Sequence, residues 1–497
     1  MVVVWLGACT GSQTVLVGEG VRPAPLVPEL ELRITDGAGF PIPAAAVTVG
    51  EAPIVLDQSA VGRWGWTGDP ISVQASAPGF VTTSLQLDNP PERLRAWLVM
   101  EETVLTGVAR AIDGRPLPGT TVQVGEVSTI TDAGGSFQLS RVVAGEVKAS
   151  RPAWFPGLVS WDGVAPSVAV VLAPRTVRAL HANLAAPAFP EIWERLLGLA
   201  EATEIDAMVI DLKDESGRIW YQSQVPLATE VGALEPRYSL VDAIAALDAR
   251  GIYVIGRIVT FQDPIAAQAR TDLAIWDTSR DRLYRQGPQY FLDPTDPGAR
   301  RYAIDLAVEA CGMGVDEIQF DYVRFPDGFG PGVRFDGGDT YIGNNDDPVA
   351  APARIQTIAS FLAEAKGILN PMGCAVAADI FAYVMRVPDD QGIGQRPEEI
   401  AQVVDVVSPM IYPDHYSDGN FGFADPADHP GQVVAAALDE GIPRLAGSVV
   451  VLRPWVADFG YSANSVRAEI DAAEARGVGW MLWNANSNHS SGALQPE

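Results

Sequence analysis

Positive charge is scarce in this chain. Lysine occurs three times in 497 residues, at Lys148, Lys213 and Lys366, and arginine brings the basic total only to 34 against 62 acids. The net charge of −28 repels phosphate backbones and anionic lipid surfaces, which excludes nucleic acid as an expected partner. Histidine is also rare, with four copies, and no Cys or His spacing suited to zinc is present, so neither a metal nor a cofactor is expected. Of the three cysteines, Cys311 and Cys374 lie in apolar settings at a helix end and a strand start and read as small buried thiols. No segment approaches the ~20 consecutive apolar residues of a membrane-spanning helix.

What remains is the composition of a globular protein, 47% hydrophobic and 8% aromatic, in a chain long enough for two to four domains. Leu6-Gly7-Ala8-Cys9, followed by Thr10-Gly11-Ser12-Gln13, resembles the lipobox of bacterial lipoproteins. That resemblance implies acylation of Cys9, with residues 1–27 as signal remnant and linker, and an extracytoplasmic location. It makes a lipid anchor the expected membrane contact.

Two copies of one module follow. Gly39-Phe-Pro-Ile-Pro43 with Val47-Thr-Val-Gly-Glu51 recurs as Gly114-Arg-Pro-Leu-Pro118 with Val122-Gln-Val-Gly-Glu126. Short alternating runs between Gly, Pro and Asp turns predict small antiparallel β-sandwiches over 28–100 and 101–174. The second copy, with Asp113-Gly-Arg-Pro-Leu-Pro-Gly119 and Thr131-Asp-Ala-Gly-Gly-Ser-Phe137, resembles the carboxypeptidase regulatory-like domains. Trp64, Trp66, Trp154 and Trp161 read as sandwich core more readily than as sugar-stacking platforms.

From residue 175 to 497 strand and helix patterns alternate. Strands are predicted at 177–182, 207–212, 253–259, 317–323, 374–380, 404–411, 444–451 and 479–483, with helix-like stretches between them. Eight such pairs over ~320 residues predict a (β/α)8 barrel, whose chemistry belongs at strand C-termini. Strand two then ends in Asp211, Lys213 and Asp214, and strand three carries Arg257. Strand four presents Asp321 and Arg324, and strand five ends at Asp379. Strand six ends at Tyr412 with His415 beyond, Trp455 precedes the last strand, and strand eight ends at Trp483 and Asn484. Carboxylates, arginines and aromatics converging from separate strands are what a carbohydrate site needs.

Several segments carry a closer resemblance. Ala207-Met-Val-Ile-Asp-Leu-Lys-Asp214, Asp316-Glu-Ile-Gln-Phe-Asp-Tyr-Val-Arg-Phe-Pro326, Gly392-Ile-Gly-Gln395, Ser408-Pro-Met-Ile-Tyr-Pro413, Arg453-Pro-Trp455 and Trp480-Met-Leu-Trp-Asn484 are similar to the putative glycosyl hydrolase domain family, a barrel family related to the α-amylase-like glycosidases. The resemblance implies a retaining hydrolase of an envelope or extracellular polysaccharide. Asp321 would be its nucleophile and Asp379 its acid/base, although amylase-like barrels usually place Glu on strand five. Asp211 is a third catalytic candidate. Lys213, Asp214, Arg257, Arg324, Tyr412, His415, Trp455, Trp483 and Asn484 are candidate substrate contacts. Two other readings stay open at this point: a glycan-binding protein without activity, and a hydrolase whose Asp211, Asp214, Asp321 and Asp379 hold a hard cation.

Overall fold

The computed structural model describes residues 27–496, except 90, 92–93 and 336–340. Cys9 and its lipobox lie outside the described residues. Alternation builds the first module: Leu30, Leu32 and Ile34 of Glu29–Asp36 are buried while the residues between them face outward or are half-covered. That strand pairs with Val61–Gly65 and Arg95–Met100, and a second sheet of four strands, Ala52–Ile54, Ala46–Val49, Ile71–Ser76 and Thr83–Leu87, packs against it. The second module repeats this plan with two four-stranded sheets and ends in strand Ser167–Pro174. Trp66, Trp154 and Trp161 are buried and Trp64 is half-buried, so most of the module tryptophans are core.

The rest is a closed parallel barrel. Its strands are β1 (Arg178–Ala182), β2 (Ala207–Lys213), β3 (Tyr253–Val259), β4 (Glu317–Asp321), β5 (Ala375–Phe381), β6 (Val406–Ile411), β7 (Trp455–Ala457) and β8 (Trp480–Trp483). Each pairs in parallel with the next, and β8 closes on β1. Around them lie α1 (Pro190–Ala202), α2 (Leu240–Asp248), α3 (Pro297–Gly312), α4 (Ala351–Leu369), α5 (Pro397–Val403), α6 (Pro430–Gly441) and α7 (Ala463–Glu474). Local signals fix their starts: Asp296 accepts from the Ala299 N–H ahead of Pro297 in α3, and Ser239 and Ser462 cap α2 and α7 in the same way. Strand parity sorts side chains into two cores. Met208, Ile210 and Leu212 face the helices, while Ala207, Val209, Ile255 and Met481 fill the barrel interior.

Three sequence expectations need correction. Strand four stops at Asp321 rather than residue 323, because Tyr322 turns into the left-handed region with φ 47°. The seventh strand does not occupy 444–451. Arg444 sits in a 3₁₀ turn, Ile442–Leu445, held by Glu398 and two backbone carbonyls, and pairing comes only from Val451–Leu452 and Trp455–Ala457 on either side of Pro454, which has no N–H to donate. Finally, Cys311 and Cys374 are not separate thiols. They form a disulfide that ties the end of α3 to the approach to β5.

The second module is seated on the barrel floor. Ala153 and Trp154 belong to one apolar cluster with Ala375, Ala377, Val406 and Val451, which lie at the N-terminal ends of β5 and β6 and in the run leading to β7. Arg175 stacks on Phe155 of the module at 4.4 Å and on Tyr253 of β3 at 4.7 Å. Arg115 donates to the Ser448 carbonyl at 2.5 Å.

Candidate active site

At the opposite end, the C-terminal strand ends surround a cavity of about 240 Å³. Its centre is set by Arg257, which projects inward from β3. Nε and Nη2 donate to Asp321 Oδ2 at 3.0 and 2.5 Å, Nη1 donates to Asp211 Oδ1 at 2.8 Å, and Nη2 also meets Glu215. One guanidinium therefore fixes carboxylates from β2, the following loop and β4. Asp321 Oδ1 accepts from the Tyr322 backbone N–H at 2.6 Å, so its two oxygens receive three N–H bonds, a donor set suited to a carboxylate. The left-handed turn at Tyr322 aims that N–H back at Asp321 and stores backbone strain beside it. Burial, with the charges of Asp321 and Glu215, pushes the Tyr322 phenol up to about 12.

Asp379 on β5 is in the opposite condition. It is fully buried, and its Oδ1 accepts from Trp455 Nε1 at 2.9 Å while Oδ2 has no partner. Burial first, and then the negative charge of Asp321, raise it well above the ordinary carboxyl range. The cavity is thus lined by one carboxyl group clamped by arginine and one whose ionisation burial disfavours and whose Oδ2 is unpartnered. Gln395 braces the second: its Nε2 donates to the carbonyls of Asp379 and Val323, and its Oε1 accepts from Phe381 N–H. The preceding glycines let that loop approach, since at Gly392 and Gly394, both at positive φ, a Cβ would strike the Asn345 and Arg354 backbone.

Aromatic faces line the remainder. Trp455 and Trp483 meet edge to face at 5.4 Å, Arg257 lies 4.7 Å over the Trp483 ring, and His415 stands edge-on to Tyr412 at 5.2 Å. Of the residues nominated from sequence, Asp321, Asp379, Arg257, Arg324, Tyr412, His415, Trp455 and Trp483 line this cavity. Four do not. Asp211 lies behind Arg257, where the guanidinium and His181 hold its carboxyl below the ordinary range against the opposing effect of burial. Lys213 is fully buried and bonds Asp263 at 2.7 Å, because a register shift after Asp211 turns it toward α3 and the Tyr302 ring. Asp214 accepts from Ser216 in a tight turn, and burial raises its carboxyl. Asn484 is spent on the turn after β8, donating to the Asp458 and Asn488 carbonyls. The cation reading loses Asp211 and Asp214 from its ligand set on the same ground, and no group of three or more metal-type side chains converges among the described residues.

The sequence reading passed over His181, whose ring stacks on Trp483 at 4.1 Å and places Nε2 3.1 Å from Asp211. That approach is too far off line to count as a hydrogen bond, and Nδ1 faces the Asn484 carbonyl at 2.9 Å. Its signal was parity: two residues beyond inward-facing Ala179, His181 shares the inner face of β1. Phe381 and Met410 at the rim were equally available from the ends of β5 and β6.

One carboxyl group clamped by arginine and a second whose ionisation burial disfavours, at the C-terminal rim of a (β/α)8 barrel, suit the chemistry of a glycosidase, the class of this chain. The family follows from the sequence: residues 179–489 match the model described as "Putative glycosyl hydrolase domain", and the chain belongs to that family. No curated protein matches the chain. Among solved structures, a hypothetical protein from Ruminiclostridium thermocellum is 30% identical over 40% of this chain and 96% of its own, with a TM-score of 0.35. The PgaB (BpsB) glycoside hydrolase domain from Bordetella bronchiseptica is 16% identical over 64% of this chain and 99% of its own, at TM-score 0.47. The PelA glycoside hydrolase domain from Pseudomonas aeruginosa is 13% identical over 63% and 96%, at TM-score 0.34.

Proposed function

We propose that the chain cleaves O-glycosidic bonds of an extracellular or cell-envelope polysaccharide, with Asp379 as general acid and Asp321 as the nucleophile of a retaining reaction. The observation that carries this reading is that Asp379, with an unpartnered Oδ2 and a carboxyl raised by burial and by the Asp321 charge, lines the same cavity as the arginine-bound Asp321. In the first step Asp379 gives its proton to the departing glycosidic oxygen as Asp321 attacks the anomeric carbon. In the second, water attacks the glycosyl–Asp321 ester and returns a proton to Asp379. Trp483, half-buried at the cavity wall, offers apolar surface beside the sugar, and Arg257 keeps Asp321 oriented.

An extracytoplasmic, lipid-anchored location accords with the Cys311–Cys374 disulfide, a bond that persists in oxidising compartments. No helix among the described residues is long and apolar enough to cross a membrane. Screening the full chain against a polysaccharide panel, with product release measured and the first-formed anomer identified by NMR, tests the reaction. Asp321→Asn is expected to abolish turnover while leaving the chain folded, and an unaltered rate removes Asp321 from the mechanism. Detergent partitioning of the native protein and of Cys9→Ala tests the anchor.

A further inference from the structure

Four arginines are buried among the described residues, and three are closed by carboxylates that are themselves buried. Arg257 has Asp211 and Asp321, Arg354 bonds Asp390 at 2.8 and 3.1 Å, and Arg453 bonds Glu317 at 2.7 and 3.2 Å. The buried Lys213 is closed in the same way by Asp263. Arg324 is the exception. Its Nη1 donates to the Phe325 carbonyl at 3.0 Å and reaches Asp327 only at 3.4 Å, and the Asp327 side chain is 69% exposed. Nε and Nη2 make no hydrogen bond among the described residues, yet neither is sealed off, and the residue lines the catalytic cavity. Its guanidinium is nonetheless held in place, over the Tyr322 ring at 5.2 Å and the Phe381 ring at 4.8 Å.

A desolvated cation without a buried counter-ion is costly, and a sugar hydroxyl would satisfy its donors without neutralising its charge. A planar, pre-oriented fork whose Nε and Nη2 leave one edge free, with two parallel donors, fits a carboxylate in bidentate geometry. We infer that Arg324 is the subsite for the carboxylate of an acidic sugar, so that the substrate is a uronate-containing polysaccharide bound with its acidic residue at or beside the scissile bond. The inference rests on the glycoside hydrolase reading of this cleft and names its substrate class. The overall charge of −28 does not oppose it at contact range, since surface charges farther than about 8 Å are largely screened at physiological ionic strength.

The test is calorimetric binding to the full chain carrying Asp321→Asn, which makes binding rather than cleavage the readout. The probes are oligogalacturonate, oligoglucuronate, neutral oligosaccharides of equal length and a sulfated oligosaccharide. Uronate oligomers are expected to bind, and Arg324→Gln in the same background should weaken them about ten-fold or more. Arg324→Lys, which keeps the charge and loses the fork, should fall between the two while the melting temperature is unchanged. Neutral ligands binding as tightly as uronates, sulfated ligands alone binding, no probe binding, or an equal response of acidic and neutral ligands to Arg324→Gln would each overturn the assignment. Arg324-dependent uronate binding by a wild-type chain that cleaves none of the probes would sink the glycosidase reading and leave the subsite standing.

Discussion

A carboxyl whose Oδ1 accepts an indole N–H and whose Oδ2 meets nothing has one place left for its proton, and Asp379 keeps that proton because burial and the neighbouring Asp321 charge both disfavour losing it. If Asp379 is the acid, Asp379→Asn should cut kcat about 10²–10⁴-fold on natural glycosides and far less on aryl glycosides whose leaving groups depart unprotonated. Because the raised carboxyl must stay protonated to work, wild-type activity is expected to persist to higher pH than an ordinary carboxyl would allow and then to fall as pH rises further. The alkaline limb should vanish when Asp379→Asn is assayed on an activated aryl glycoside. A uniform loss on both substrate types would take the proton-donor role from Asp379. Glu469 on α7 poses the same question away from the cleft. Its Oε2 accepts from Ala457 N–H at 2.8 Å, Oε1 is unpartnered, and burial pushes it up to about 9. A raised folded-state value means that its contribution is complete below the unfolded value near 4.5 and is lost as pH climbs toward about 9. Glu469→Gln keeps the acceptor without the titration, so its stability relative to wild type should grow from pH 5 to pH 9, by about 1.4 kcal/mol for each unit through which wild type is penalised. Urea unfolding at pH 5, 7 and 9 measures it, and a constant difference would contradict the assignment.

At the scale of elements, the disulfide offers the sharpest check. Cys311 and Cys374 close a loop with a sequence separation of 63, joining α3 to the approach to β5, the strand that carries Asp379. Reduction, or Cys311→Ser, should lower unfolding free energy by about 2–4 kcal/mol, read from denaturant titrations with and without reductant. Alkylation of both cysteines under denaturing, non-reducing conditions, read by mass, would show that the bond does not form. This pairing also marks where sequence reasoning stopped, since nothing local joins a helix end to a strand 63 residues later. Periodicity located seven of the eight strands because each barrel strand is an apolar run bounded by turns, and it identified Asp321 and Arg257 by their places on strands four and three. It missed the seventh strand, where Pro454 splits the pairing into two short pieces and the preceding Val449 and Val450 lie outside any strand. Lys213 was misplaced for a related reason: simple alternation puts it beside Asp211, and only the register shift reverses it. Gln395 had no chemistry of its own to announce its part, which is to hold the backbone of β5 from a loop.

At the scale of the whole molecule, the two modules are not equivalent attachments. The first meets the second through a few polar contacts, with Arg141 bonding Asp36 and the Thr103 N–H donating to the Gly79 carbonyl. The second shares its apolar core with the barrel, so Ala153 and Trp154 cover inward residues of β5 and β6 that would otherwise face water. A division at Pro174, natural from sequence because the alternation of strands and helices begins there, therefore cuts through a hydrophobic contact. Removal of residues up to 100 should leave the melting temperature of the barrel and its activity on small substrates unchanged. Removal up to 174 should uncover the floor beneath β5, whose other end carries Asp379, and lower the melting temperature by several degrees with a gain in dye binding to exposed apolar surface. Trp154→Ala in the full chain isolates the contact from the loss of the module, and an expected cost of about 3–5 kcal/mol makes it measurable by denaturant unfolding. Equal stability of the two truncations would mean that the barrel closes its own floor and that the second module is a spacer like the first.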